Sequence, residues 1–295
     1  MSHTVKYYRF CGHLYRDRHF KWRPGYVTSV ATGYHDPCTG SPFGIRLYDK
    51  DDRILIDHPI LVDWGNREGD PLRAYIREKI PWNNGARRLV FYEGERILFE
   101  KIRDLEKPRV ELHFDPKTFS KTKKGRSSKI KWTVTAKKNQ KCYYYLLFSS
   151  NGGKTYVPAS TRLTKPEISL KPSFLSGGKN CRLKIRVTDG FNTVELATKS
   201  FSLPVREPAA EIHWPGDNVD IKPGAVVEVS GQGYFYGEPQ KSKGKMEWYI
   251  NNKLVSRENR FLLTVPSKGK HLHLKLVVTD SRGVSHQKIH KLNIK

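Results

Sequence analysis

Residues 106–116 read EKPRVELHFDP, and residues 207–215 repeat that phrase as EPAAEIHWP. A proline, a glutamate, an aliphatic residue, a histidine and an aromatic residue match at a constant spacing of one hundred residues. A second pair of phrases, IRVTDGFNT at 185–193 and LVVTDSRGV at 276–284, matches near the end of each segment. The sequence therefore predicts two copies of one unit of about 90–100 residues.

Apolar residues alternate with polar residues in short segments of both units, which is typical of half-buried strands. In the first copy the segments are KIKWTVTA (129–136), CYYYLLFSS (142–150) and CRLKIRVTD (181–189). The second copy follows the same plan with AVVEVSGQG, MEWYI and HLHLKLVVTD. Turns every 8–12 residues between such strands predict an all-β fold of consecutive antiparallel β-sandwiches.

Three domains follow from the repeat: an N-terminal β domain at 1–106, a basic domain at 107–206 and a last domain at 207–295. Pro108 and Pro208 stand in the two connectors, so we expect stiff junctions and an elongated array.

The first 106 residues also consist mainly of predicted strands. The stretches 45–55 and 89–98 are predicted hairpins. Residues 70–82 allow either a strand or a helix beginning at Asp70, and we favour the strand.

The charge is high and uneven. The chain has 54 Lys and Arg residues against 29 Asp and Glu residues, a net charge of +25. Residues 107–206 hold 22 of these bases and only 5 acids, whereas the first 106 residues have a net charge of only +3. This predicts an acidic macromolecule as partner, either a nucleic acid, an anionic glycan or an acidic protein.

Two hairpin phrases bring a family resemblance. YYYLLFSSNGGKTYVP (143–158) and RVTDGFNTVE (186–195) resemble the hairpin and turn motifs of bacterial fibronectin type III-like modules. The last unit, with Trp248, is similar to PKD and Ig-like domains. The resemblance implies tandem sandwiches that act as spacers or adhesion modules of surface or secreted proteins, sometimes beside a hydrolase.

The predicted binding surface lies on the middle domain. If Tyr144, Leu146 and Phe148 point inward, Tyr143 and Tyr145 point outward, beside the outward cations of the strand at 181–189. Tyrosines interleaved with cations can stack on rings while phosphates or sulfates are neutralised. A lysine-rich loop adds further cations. The predicted polyanion-binding residues are Tyr143, Tyr145, Arg182, Lys184, Arg186, Lys121, Lys123, Lys124, Arg126, Lys129 and Lys131.

Cysteines and histidines give only weak site candidates. Cys11, His13, His35 and Cys38 have the chemistry of a zinc site, but their spacing fits no familiar zinc motif. A Cys11–Cys38 disulfide and two independent thiols are the alternatives. Cys142 and Cys181 begin antiparallel neighbours, about 25 Å apart, so we expect both to stay reduced.

Histidines of the repeated units are expected to be structural. His113 and His213 recur with the fold, which favours strand packing over catalysis. In the last hairpin, a turn centred on Ser281-Arg282 would place His273 opposite His290.

These features predict a non-enzymatic binding or assembly module without a cofactor. No nucleophile elbow, phosphate loop or dinucleotide motif is present in the sequence. The alternatives are accessory domains of a secreted hydrolase or surface adhesin, and a structural subunit of a larger assembly. We expect no transmembrane segment and no signal peptide, which favours the cytoplasm, whereas the resemblance implies the cell surface or exterior.

Overall fold

The computed structural model describes residues 5–64, 73–123, 125–236 and 244–295, and these residues form an all-β protein. Their buried apolar side chains gather in three separate hydrophobic clusters, each centred in one predicted domain range, and the first cluster also includes Phe191. The domain bounds themselves stay a prediction. None of the helices in this part of the chain has the length and apolar character that a membrane span requires.

Seven strands build the described part of the first domain. They are β1 (Tyr7–Tyr15), β2 (Phe20–Thr28), β3 (Phe43–Tyr48), β4 (Ile54–Pro59), β5 (Arg73–Pro81), β6 (Arg88–Glu93) and β7 (Arg96–Ile102). One sheet has the order β2-β1-β5 and the other β4-β3-β6-β7. Both predicted hairpins are confirmed as β3–β4 and β6–β7. The favoured strand is confirmed over 73–81, and Asp70 lies outside the described residues.

The middle domain is a sandwich of a three-stranded sheet and a five-stranded sheet. Its strands are β8 (Arg109–His113), β9 (Ser128–Thr135), β10 (Tyr143–Ser149), β11 (Val157–Pro158), β12 (Glu167–Leu170), β13 (Gly178–Thr188), β14 (Thr193–Ala197) and β15 (Phe201–Leu203). A short helix, α1 (Pro116–Ser120), follows β8, and a 3-10 turn spans Pro172–Phe174. The sheets run β12-β9-β8 and β11-β10-β13-β14, with β15 paired to the beginning of β13.

The last domain repeats this order. Its strands are β16 (Ala209–Trp214), β17 (Asp220–Ile221), β18 (Val226–Tyr234), β19 (Lys245–Ile250), β20 (Lys253–Ser256), β21 (Arg260–Thr264), β22 (His271–Thr279) and β23 (Ser285–Ile294). The sheets run β16-β18-β21 and β17-β23-β22-β19-β20. Trp248 is fully buried between them, and a Cβ at Gly231 would stand 2.8 Å from its indole ring. Only glycine therefore lets β18 lie this close to the tryptophan.

The repeated phrase is the first strand of each of these two sandwiches. Leu112 of β8 and Ile212 of β16 pack into their hydrophobic clusters, as the alternation requires. His113 and His213 are exposed on the outer faces instead. Their predicted role in strand packing is therefore wrong, because a strand turns successive side chains to opposite faces.

The last hairpin differs from the prediction by one residue. His273 pairs with Lys291, and His290 pairs with Leu274. The Asp280 carboxylate accepts hydrogen bonds from the Arg282 and Val284 amides, 2.9 and 3.0 Å away, which centres the turn on Arg282. A shift of one residue moves a side chain to the other face, so His290 is buried.

The turn between β13 and β14 joins the middle domain to the first. Phe191, at its tip, is fully buried and belongs to the hydrophobic cluster of the first domain. The Asp189 carboxylate accepts hydrogen bonds from the Phe191 and Asn192 amides, both at 2.7 Å, which fixes the turn. Because these bonds hold the backbone, the ring enters the neighbouring core in one defined orientation.

Hydrogen bonds surround the inserted ring. Tyr8 donates its hydroxyl to the Gly190 carbonyl, and Thr188 donates to the Gly25 carbonyl at 2.8 Å. The Val27 amide donates to Thr193 Oγ1, also at 2.8 Å. We name Phe191 with this turn, residues 188–193, the interdomain latch.

Replacing Phe191 with alanine should lower the free energy of unfolding by about 3–5 kcal/mol, since the change leaves a cavity in the core of the first domain. Urea unfolding measures the loss, and faster hydrogen exchange of the Val27 amide should accompany it. The matched control is Phe174→Ala in the same domain, where the side chain is 64% exposed. That variant should change stability by less than about 0.5 kcal/mol. Equal effects of the two substitutions would contradict the latch.

Candidate anion-binding surface

Strands β10 and β13 carry five of the eleven predicted binding residues, and the alternation of their side chains is confirmed. They pair antiparallel, with Tyr145 opposite Arg186 and Ser149 opposite Arg182. Leu146 and Ile185 are fully buried in the core, so the neighbouring tyrosines and cations lie on the outer face of the sheet. The sequence therefore placed these side chains on the correct face.

The first domain covers one end of that face. Its Tyr26 ring lies 5.1 Å from the Tyr145 ring, and the Arg186 guanidinium lies 4.3 Å from the centre of the same Tyr26 ring. Arg186 is only 8% exposed as a result. The face was expected to be open to solvent, but at Arg186 it is an interface between domains.

Glu195 of β14 holds two of the predicted cations. Arg186 Nε lies 2.6 Å from its carboxylate and Lys184 Nζ lies 2.9 Å away. Burial raises the pKa of Glu195, but the charges and hydrogen bonds of Arg186 and Lys184 outweigh it and leave the pKa below its usual value. Both cations thus share one carboxylate within the domain, which leaves a net charge of about +1 for the three groups.

The remaining residues of this face lie on both sides of Arg186, with Lys184 and Arg182 toward its open end and Tyr143 opposite Thr188 at the latch. Lys184 Nζ also stands 4.0 Å from the centre of the Tyr156 ring, and Arg182 is half-buried beside it. Tyr143 is half-buried, with the guanidinium of Arg162 lying 5.3 Å from its ring centre. Arg162 is a cation that the sequence analysis did not single out.

The lysine-rich loop lies at the other end of the middle domain. Lys121, Lys123 and Arg126 are exposed, and Lys124 lies outside the described residues. The Ser120 hydroxyl donates to the Ser202 carbonyl of β15, which pairs with the beginning of β13. Tyr143 pairs with the end of β13, so the loop lies on the order of 30 Å from it.

Lys129 and Lys131 belong to the opposite sheet. Both are exposed on β9, and Lys129 forms an ion pair of 2.9 Å with Glu167. The predicted cations are therefore spread over two faces and one end of the middle domain, and the structure does not bring them together as one site.

The weak metal candidates are also separate. Cys11 is buried on β1, the His13 ring lies tilted against the Tyr75 ring with their centres 5.1 Å apart, and His35 contacts Glu78 at 3.1 Å. Both Cys11 and Cys38 are free thiols, which rules out the disulfide in this structure. In the part of the chain that the structure describes, no group of three or more His, Cys, Asp or Glu side chains could hold a metal.

The middle cysteines behave as predicted. Cys142 and Cys181 are both free thiols, since Cys142 precedes the start of β10 and Cys181 lies near the start of its antiparallel partner β13.

A second basic surface lies on the first domain and was missed. We define the first-domain face as the outer side of the sheet β2-β1-β5. Residues that pair across neighbouring strands lie on the same side of a sheet, and the outward residues of β1 pair with residues of β2 and β5. This register places six cations on the outer side. These cations are Arg9, Lys21, Arg23, Arg73, Arg77 and Lys79.

Acids are scarce on the same strands. Glu78 is the one carboxylate within these three strands, and it is directed to His35. The pKa of Lys79 is lowered first by burial and then by the charges of Arg9, Arg77 and Arg186. Among the ion pairs between described residues, none involves a cation of the first-domain face, so these residues give it a positive field. The alternating cations of RAYIREK in β5 were visible in the sequence and indicated a basic strand face. The pairing of β5 with β1, which brings those cations beside Arg9, could not be read from the sequence.

Comparisons with known proteins give no family. No family model matches the chain, and no curated protein matches it. Solved structures with some similarity include fibronectin(III)-like modules of Clostridium thermocellum CbhA. The two sequences are 14% identical, the match covers 58% of this chain and 86% of that chain, and the TM-score is 0.26. The N-terminal Ig1-2 module of Drosophila receptor protein tyrosine phosphatase DLAR is 13% identical. That match covers 64% of this chain and all of that chain, with a TM-score of 0.23.

A third similar structure is the Bacteroides ovatus SGBP-B of a mixed-linkage glucan utilization locus, in complex with a heptasaccharide. It is 15% identical, and the match covers 64% of this chain and 48% of that chain with a TM-score of 0.23. At these values the similarity carries no argument about ligand or partner. The sheet orders of the described residues show the class: this is an all-β protein with antiparallel β-sandwiches in tandem.

Glu195→Gln should lower the free energy of unfolding at pH 7 by about 1–3 kcal/mol, because Arg186 then stays enclosed without a counter-charge. The folded-state pKa of Glu195 lies below the usual 4.5, so its stabilisation is present above that pH and is lost as the pH falls through the folded-state pKa. The difference between wild type and variant should therefore shrink in acid, as measured by urea unfolding from pH 7 to about pH 3. Glu258→Gln, on an exposed side chain, is the control. A difference that stays constant with pH would contradict this assignment.

Proposed function

We propose that this protein is a non-enzymatic binding module in which a polyanion lies along the junction of the first two domains. Basic surfaces of both domains lie next to each other at the latch, and this observation supports the proposal. The first-domain face, which the low net charge of residues 1–106 concealed, adjoins the covered end of the middle-domain sheet. Positive charge concentrated beside low-dielectric walls attracts an anionic partner.

A lysine-lined cleft lies on one side of the latch. It has a volume of about 420 Å³ and is lined by Trp22 and Lys101 of the first domain and by residues 137–141 of the middle domain. Tyr143 and two aspartates complete the wall.

The two aspartates of this cleft are already engaged. Asp104 forms an ion pair with Lys137 at 3.4 Å, and the Asp189 carboxylate accepts from Gln140 at 2.7 Å as well as from the latch amides. Lys138 and Lys141 are exposed and form no ion pair with any residue that the structure describes. They are therefore available to a partner.

Aromatic rings border these lysines. Trp22 and Tyr143 line the same cleft, and Lys101 Nζ lies 6.0 Å from the centre of the Trp22 ring. Cations beside aromatic surfaces suit chains that alternate anionic groups with rings, such as nucleic acids and sulfated glycans. An acidic protein offers carboxylates without that alternation, so we favour a phosphate- or sulfate-bearing polymer.

The cations at the other end of the middle domain would act at longer range. Lys121, Lys123, Arg126 and Lys131 are exposed. Exposed charges add to the field that steers an anionic chain, and their effect weakens with salt.

The double substitution Lys138→Ala and Lys141→Ala should weaken polyanion binding at low salt and reduce the slope of log K against log salt concentration by about 1–2. Fluorescence anisotropy of the full chain with labelled heparin, single-stranded DNA and poly-L-glutamate, in a chloride series from about 20 mM, measures both effects.

The matched control is Lys268→Ala with Lys270→Ala, which removes the same charge from exposed positions of the last domain. It should leave the slope nearly unchanged. Binding of none of the probes at the lowest salt would overturn the proposal, and so would equal slopes for the two double variants. Preference for poly-L-glutamate over the other two probes would refute the choice of a phosphate- or sulfate-bearing polymer.

A further inference from the structure

A second cleft on the domain junction is lined by arginines and tyrosines. It has a volume of about 340 Å³. Arg9, Arg23 and Tyr75 come from the first-domain face, and Tyr145 and Arg162 come from the middle domain. Cys11, Pro24, Tyr26 and Thr161 complete the lining.

The three guanidinium groups have no acidic partner among the residues that the structure describes. None of the residues that line this cleft is a carboxylate. Among the ion pairs between described residues, none involves Arg9, Arg23 or Arg162. Arg9 Nη1 donates to the Tyr26 hydroxyl at 2.8 Å, which fixes its orientation without neutralising it.

Neighbouring groups do not supply the missing negative charge. Burial raises the pKa of the Cys11 thiol, although Arg9, Arg77 and Arg23 act in the opposite direction. Burial also raises the pKa of Tyr145 to about 12. Both groups are therefore neutral at physiological pH, and the like charges of the cleft remain unbalanced.

The available donors suit a tetrahedral oxyanion. A guanidinium presents a planar fork that binds two oxygens of a phosphate or sulfate group at once. Arg23 and Arg162 are exposed and approach from different domains, and the Thr161 and Tyr145 hydroxyls add neutral donors. A carboxylate would use one fork, whereas a tetrahedral group has oxygens for both.

The volume indicates a ligand larger than a bare ion. Small-molecule sites begin at about 300 Å³. Tyr75 is 48% exposed and offers an aromatic surface at the wall for a ring carried by the anion.

We infer that the arginine–tyrosine cleft is a binding site for a phosphate or sulfate monoester of a small ring, such as a single sugar unit. The site requires both domains, because each contributes an arginine. It goes beyond polymer binding, since a small anion alone should occupy it and should stabilise the docking of the two domains.

Isothermal titration of the full chain with glucose 6-phosphate and glucose 6-sulfate, at constant ionic strength, tests the site. Inorganic phosphate, inorganic sulfate and glucose separate the contributions of the anion and the ring. Both esters should bind and raise the thermal midpoint, the inorganic ions should bind more weakly, and glucose should not bind. The ratio between the two esters identifies phosphate or sulfate as the preferred group.

The double variant Arg23→Ala with Arg162→Ala should bind the better ester at least about tenfold more weakly, because both forks are lost. Arg23→Lys with Arg162→Lys keeps the charge and should still lose part of the affinity. Arg53→Ala with Arg96→Ala removes the same charge from exposed positions on the first domain that do not line the cleft and should bind normally.

Two results would overturn the inference: no binding of either ester by the wild type up to about 10 mM, or equal binding by the alanine variant and the wild type. A protein that binds heparin or DNA but neither ester would retain the proposed function and lose this site. A protein that binds an ester but no polymer would retain this site and lose the proposed function.

Discussion

The insertion of Phe191 into the core of the first domain is the contact on which the arrangement of the two basic surfaces depends. A phenylalanine buried in another domain removes a large apolar area from water, and the Asp189 carboxylate holds the turn that carries it. Tyr8 and Thr188 add hydrogen bonds across the same boundary. Because the latch is fixed, the strands on both sides of it are fixed relative to each other.

The electrostatic character of the protein follows from that docking. The latch brings the first-domain face beside the middle-domain sheet, so cations from two domains share one region. Glu195 neutralises the most enclosed of them, Arg186, and leaves the outer ones uncompensated. A buried cation without a partner would be costly, whereas a cation at the edge of a cleft keeps contact with water and remains available to a ligand.

Each of the three domains has two sheets, but the order of the three-stranded sheet differs in the first domain. In the middle domain β9 lies at the centre of the three-stranded sheet, between β8 and β12, and in the last domain β18 lies between β16 and β21. In the first domain β1 takes that central place, between β2 and β5. This exchange puts Arg9 and Cys11 in the middle of the first-domain face, where cations of both neighbouring strands flank them.

The sequence by itself determined the class of fold and most strands. Alternation in segments such as 181–189 states which side chains face the core, because side chains on a strand alternate strictly between two faces. The repeated phrase located the first strands of two sandwiches for the same reason. The sequence failed by one residue at His290, where the bonds from the Asp280 carboxylate, and not the residue types alone, set the centre of the turn.

Only the tertiary structure decided which outer faces meet. Alternation places Arg186 and Tyr145 outward but cannot state that Tyr26 covers them, since that contact joins residues more than one hundred positions apart. Local charge counts likewise concealed the first-domain face, because β5 reaches β1 only through long-range pairing. Which cations are neutralised and which remain available is a property of spatial neighbours, and the order of residues along the chain does not contain it.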